Sequence, residues 1–168
     1  LLNEGKSCFI GAFAVELDEN GFMLSYKKIG RNEQAKHKRY FFVEVKQGGE
    51  PRFNYQSYAD TMNKETVDKF IDSTYEKFRQ GVGDEFGKTI PFIFTDEPQV
   101  LWNNVMNSGY ETGKVSKSWT YDFAKTYADR YGDDILQKLP ELFFAMHGDG
   151  GKTSRYNYYR HVSERFCE

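Results

Sequence analysis

Apolar and polar residues interleave at short period in the first third of the chain. From residue 61 onward the apolar positions recur every three to four residues, so the pattern changes character near residue 50. Ser7–Leu17 and residues 22–29 read as two strands flanking Asp18-Glu19-Asn20-Gly21, where Asn-Gly is a strong hairpin signal because both residues tolerate positive φ. A polar loop at 30–38 leads to a third strand at 39–46, and Gly48-Gly49 closes it. The expectation for residues 1–50 is an antiparallel β-meander.

Beyond it, Val67, Phe70, Ile71, Thr74, Tyr75 and Phe78 fall on one helical face, with Asn63 or Thr61 as the cap and Gly81 and Gly83 as the stop. Phe92, Ile93 and Phe94 are consecutive apolar residues, which predicts a strand over 90–95 buried on both faces, as parallel strands are. Pro91 cannot donate to a ladder, so pairing is expected to begin at Phe92. Residues 99–118 are rich in Asn, Gly and Ser and read as a long loop. Helical spacing returns over 119–131 with Gly132 as the stop, over 133–145 with Pro140 dividing the run, and over 155–168. A helix feeding a buried strand that is followed by further helices is a piece of an α/β layer.

Composition narrows the function. The net charge of −2 lacks the basic excess of a nucleic-acid binder, and no apolar run is long enough to span a bilayer. Aromatic residues make up 17% of the chain, which leans towards carbohydrate because aromatic rings stack on sugars as well as filling cores. Cys8 and Cys167 have no metal-ligand spacing, and neither do His37, His147 and His161. Gly148-Asp149-Gly150-Gly151-Lys152-Thr153 hints at a phosphate loop, but the position of its first glycine is Met146 and a helix precedes it.

The chemistry worth weighing is acidic. Asp96 and Glu97 follow directly on the predicted strand, at the end where catalytic groups of barrel enzymes gather. A carboxyl group there, flanked by apolar residues and Pro98, suits a general acid; the plain alternative is a capping Asp96 and a solvated Glu97. Asp60, just before the long helix, is the second candidate, with a helix-start role as its plain alternative.

Tyr58-Ala59-Asp60-Thr61-Met62-Asn63, the helix with Phe70-Ile71 and Thr74-Tyr75-Glu76, Phe86-Gly87-Lys88-Thr89-Ile90-Pro91 and Phe94-Thr95-Asp96-Glu97-Pro98 come in an order that resembles bacterial glycoside hydrolases with (β/α)₈ barrels. The likeness is greatest to the α-L-rhamnosidase type and its relatives, and it continues through Trp119-Thr120, Tyr131-Gly132, Leu139-Pro140 and Arg155-Tyr156. The resemblance implies that Glu97 is a catalytic carboxylate at a strand end, with Asp60 and Asp96 near it and the partner carboxylate supplied beyond Glu168. It also implies that the chain is α/β, a fragment of a TIM barrel over residues 51–168, with the N-terminal antiparallel meander as an insertion. Whole barrels need about 200 residues or more, so only a few barrel units are expected here, with apolar surface left for self-association.

Trp102, Tyr110 and Trp119 lie in or beside the loop after Glu97 and are candidate sugar-stacking platforms. No cofactor is required for this chemistry, and calcium held by mouth carboxylates is the one metal the resemblance suggests. Two other classes stay open: a non-catalytic carbohydrate-binding or scaffold protein of the same fold, and a small α+β interaction domain.

Overall fold

The computed structural model describes residues 7–45, 58–96, 98, 100 and 115–168. Strands β1 (Ser7–Leu17), β2 (Met23–Ile29) and β3 (Lys38–Val45) form one antiparallel sheet. The helices are α1 (Lys64–Ser73), α2 (Tyr75–Val82), α3 (Phe123–Tyr131), α4 (Leu139–Phe143) and α5 (Lys152–Cys167). Single 3₁₀ turns at Gly83–Glu85 and Ile135–Gln137 follow α2 and precede α4.

The turn between β1 and β2 forms where Asn-Gly predicts it. Asp18 Oδ1 accepts the Asn20 and Phe22 amides, and Gly21 takes a φ of 83° that a side chain would strain. The strand order is β2-β1-β3, however, so the expected meander is corrected: β3 pairs with β1 rather than with β2. The 30–37 connection crosses the outer face of β1 to reach the far side. Ala12 and Ala14 are small enough to let it lie close, and Ala35 packs on them together with Ile29 and Phe9. Glu33 folds the crossing back on itself by accepting the Gly30 amide at 2.8 Å, and its own carbonyl accepts from Arg39 at 2.9 Å.

The inner face of the sheet lies on the last three helices. Phe13, Val15 and Met23 share one buried cluster with Met62, Phe123, Tyr127, Ile135, Leu139, Leu142 and Tyr158. Residues from both sides of the division expected near residue 50 thus share this cluster. Phe42 meets Phe143 edge-on at 5.3 Å, and Tyr40 meets Phe144 at 4.8 Å. Polar ties reinforce the contact: Tyr26 donates to Glu141 at 2.7 Å, Ser154 to the other oxygen of the same carboxylate, and the Met23 amide to the Ala145 carbonyl at 2.8 Å.

Helix ends follow local chemistry. Asn63, one of the two expected caps, accepts the Glu65 and Thr66 amides at the start of α1. Gly132 closes α3 in the left-handed conformation, with its amide bonded to the Ala128 carbonyl at 2.9 Å. The single helix expected through Phe78 is broken at Thr74, where the hydroxyls of Ser73 and Thr74 both donate to the Phe70 carbonyl. Such back-bonding competes with the helical ladder and bends it.

The strand expected over 90–95 is also corrected. Residues 91–96 carry no ladder, and Phe92, Ile93 and Phe94 are 78%, 52% and 82% exposed. Among the described residues the β feature nearest to them is an isolated parallel bridge between Phe86 and Ile90. Neither α1 nor α2 buries a residue, although Phe70, Ile71, Phe78 and Val82 line them. Phe70, Ile71, Phe78 and Val82 are thus all exposed on this arm.

The contrast between core and arm is measurable. Phe123→Ala should cost about 3–5 kcal/mol in a urea titration, the usual loss for a fully buried aromatic. Phe70→Ala, at a half-exposed position, should cost about 0.5 kcal/mol or less. Equal losses at the two sites would contradict this division.

Candidate functional site

Of the candidate acids among the described residues, Asp60 is the one whose carboxylate bonds to another loop. Its carbonyl accepts the Asn63 amide at 3.1 Å, its Oδ1 accepts the Met62 amide at 3.1 Å, and its Oδ2 accepts the Thr120 hydroxyl at 2.6 Å. Thr120 is almost fully buried, and its carbonyl receives the Phe123 amide that opens α3. The loop before α1 is thereby pinned to the loop before α3. A second tie runs alongside: Arg165 on α5 donates to the Met62 carbonyl at 2.8 Å and pairs with Asp122 at 3.1 Å. Both oxygens of Asp60 are engaged in holding loops, so its geometry is that of an organising carboxylate.

Trp119 sits on the same loop as Thr120, and its ring lies 4.6 Å from Phe123. It is half-buried against the core, which favours the anchoring role over a free sugar platform. Asp96 is exposed, at the end of the extended 91–96 stretch. Among the described residues no hydrogen bond or ion pair joins it to Asp60. Glu97, Trp102 and Tyr110 lie outside the described residues. No group of three His, Cys, Asp or Glu side chains among the described residues is arranged to hold a metal ion.

An open groove of about 550 Å³ runs between α3 and α5, lined by Thr126, Asp129, Arg130, His161, Glu164 and Arg165 among others. His161 is the buried residue of this set, at 4% exposure, with its Nε2 2.9 Å from the Thr126 hydroxyl. Thr126 passes its own proton to the Asp122 or Phe123 carbonyl, so the consistent assignment has Nε2–H donating to Thr126. Nδ1 is then a buried acceptor with no partner among the described residues. The sequence signalled this site weakly, through the i, i+4 spacing of His161 and Arg165 on one face of a helix.

Burial, and then the nearby Arg165 guanidinium, hold the His161 imidazole below its ordinary pKa of 6.5, while Glu164, Glu168 and Asp122 oppose them. At the β1–β2 turn, a hydrogen bond from His147 lowers the Asp18 carboxyl; the His147 ring also stacks on Phe22 at 4.5 Å.

No family model, curated protein or solved structure matches the chain. No described helix is long and apolar enough to cross a membrane.

The depressed pKa of His161 has a defined sign. The unfolded chain takes up the proton near 6.5 while the folded chain resists it, so stability is full above that pH and falls as the pH drops below it. Between pH 7.5 and 5.5 the midpoint of urea unfolding should therefore decline. His161→Gln, which keeps a donor for Thr126 and cannot titrate, should flatten that decline. An unchanged slope in the variant would show that other groups set the acid sensitivity.

Proposed function

We propose that this chain is part of a (β/α)₈ glycoside hydrolase catalytic domain in which Glu97 is the general acid or base. The reading rests on the ordered motifs from Tyr58-Ala59-Asp60 through Phe94-Thr95-Asp96-Glu97-Pro98 to Arg155-Tyr156. The observation that best supports it in three dimensions is the Thr120–Asp60 hydrogen bond, which joins two of those motifs across sixty residues of chain. The exposed Phe92–Ile93–Phe94 stretch fits the same reading as surface that further barrel units cover. In this scheme the Glu97 carboxyl protonates the glycosidic oxygen as the C–O bond breaks. The oxocarbenium-like centre is met by a second carboxylate or by water activated by it. Asp60 serves as the organising acid of the preceding loop, and Asp96 orients its neighbour.

A carbohydrate-binding protein without catalysis is the second reading. Tyr156 and Tyr159 favour it, because they lie three residues apart on α5 and are both more than half exposed. Aromatic pairs at this spacing stack on sugar rings without any acid.

The experiment that separates the two is the Glu97→Gln substitution in the complete barrel enzyme. Turnover of a natural glycoside should fall by roughly 10²–10⁴-fold, the usual worth of acid–base catalysis. Aryl glycosides with good leaving groups need less protonation and should lose less. Near-normal turnover of the natural substrate would remove Glu97 from the mechanism. Sugar binding without any hydrolysis in the parent protein would favour the binding reading.

A further inference from the structure

We infer that the open edge of β3 pairs with β3 of a second copy of this chain, extending the sheet antiparallel across a two-fold axis at Phe41. Among the described residues β3 is hydrogen-bonded on one side only, to β1. No described residue bonds to the backbone on its other side, and an open strand edge is the template on which strands associate.

The side-chain pattern of β3 selects both the partner and the register. Tyr40 and Phe42 pack inward on the helical layer, so Lys38 and Glu44, two residues beyond them, share that face; Arg39, Phe41 and Val43 take the outer face. A two-fold axis normal to the sheet keeps inner faces together only when it passes through a residue rather than between two. Centred on Phe41, it sets Lys38 opposite Glu44, Tyr40 opposite Phe42, Arg39 opposite Val43, and Phe41 opposite itself. Each opposite-charge pair occurs twice by symmetry, and the two aromatic pairs lie between them on the inner face. Directly opposed residues of this kind are the unit of sheet stabilisation. Centred on Phe42, the same strand would set Tyr40 against Glu44 and leave Lys38 without an acid.

The other edge does not share this self-complementarity. β2 reads Met-Leu-Ser-Tyr-Lys-Lys-Ile, with two lysines and no acid, and its pairing with β1 is already irregular at Glu16/Leu17. Like charges near the centre of a strand discourage edge pairing. The partner that β3 fits is therefore its own copy, giving a continuous sheet in the order β2-β1-β3-β3-β1-β2. This surface is distinct from the apolar arm, because it joins through backbone hydrogen bonds and charge.

Sedimentation of the 168-residue chain over a concentration series tests the pairing. The wild-type chain should form a dimer. Glu44→Lys and Lys38→Glu should each weaken it by about tenfold or more, since either change sets like charges opposite each other twice. The double variant Lys38→Glu/Glu44→Lys should restore the wild-type constant, and circular dichroism should show all three folded. A wild-type chain that stays monomeric, or association indifferent to both reversals, would overturn the assignment; the latter would move association to the apolar arm.

A cross-link supplies the register. In a chain carrying Cys8→Ser and Cys167→Ser, Phe41→Cys places two thiols opposite each other, with Cα atoms about 4.5–5.5 Å apart, within disulfide reach. It should oxidise to a covalent dimer, whereas Arg39→Cys, which faces Val43, should not. Equal cross-linking at the two positions would reject this register.

Discussion

Phe123 is the ring around which the helical layer is assembled. It is fully buried, and the rings of Trp119, Tyr158, His161 and Tyr127 lie 4.6, 5.5, 4.9 and 6.4 Å from it. Those neighbours belong to α3, to the loop before it and to α5, so one side chain fixes how the two helices meet. The sheet then closes the cluster from the other side through Phe13, Val15 and Met23. Rings in offset or edge contact add about 0.5–1.5 kcal/mol per pair beyond their buried area, which suits a chain that uses aromatics where others use Leu and Ile.

A polar interlock fastens the remaining parts to this core. Asp60 and Thr120 join the loops before α1 and α3, and Arg165 reaches from α5 to the Met62 carbonyl and to Asp122. Met62, buried between these ties, is the apolar plug that roots the arm. Past that root the arm depends on its own helical bonds and on surface pairs such as Lys64–Asp68 and Arg79–Glu76. Exposed pairs of this sort contribute little. Segments with few buried contacts open locally at low free energy, and α1 and α2 belong to that class.

Much of the local structure was legible in the sequence because it depends on local chemistry. Asn20-Gly21, the Asn63 cap, the Gly132 stop and Pro140 at the start of α4 each act within a few residues, and each lies where its chemistry requires. The strand order was not legible, because nothing local in 30–37 says which side of β1 the chain will reach. In retrospect the signal is the Ala12/Ala14 pair, whose small side chains let a crossing segment lie on the outer face. The run Phe92-Ile93-Phe94 misled for a related reason. Three consecutive apolar residues show that a segment needs cover, but not that its cover lies within the described residues. Spacing gives His161 no ligand partners, and its burial beside Arg165 depends on the packing of α3 against α5, which no local pattern reports.

The exposure of the arm bears directly on the proposed chemistry. A carboxyl group that acts as a general acid must hold its proton near neutral pH, and apolar surroundings are the commonest way to achieve this. Phe92, Ile93 and Phe94 are the residues that would supply such surroundings beside Asp96 and Glu97, yet here they face solvent. Whatever covers them would remove water from this segment in the same step. Under the hydrolase proposal, then, ordering this segment and activating its acid are one event. Under the same proposal, covering Phe92, Ile93 and Phe94 is what links the packing of the arm to the chemistry of the site. The Asp60–Thr120 tie contributes by fixing where the arm begins, so that docking of the distal part costs less conformational freedom than ordering a free loop.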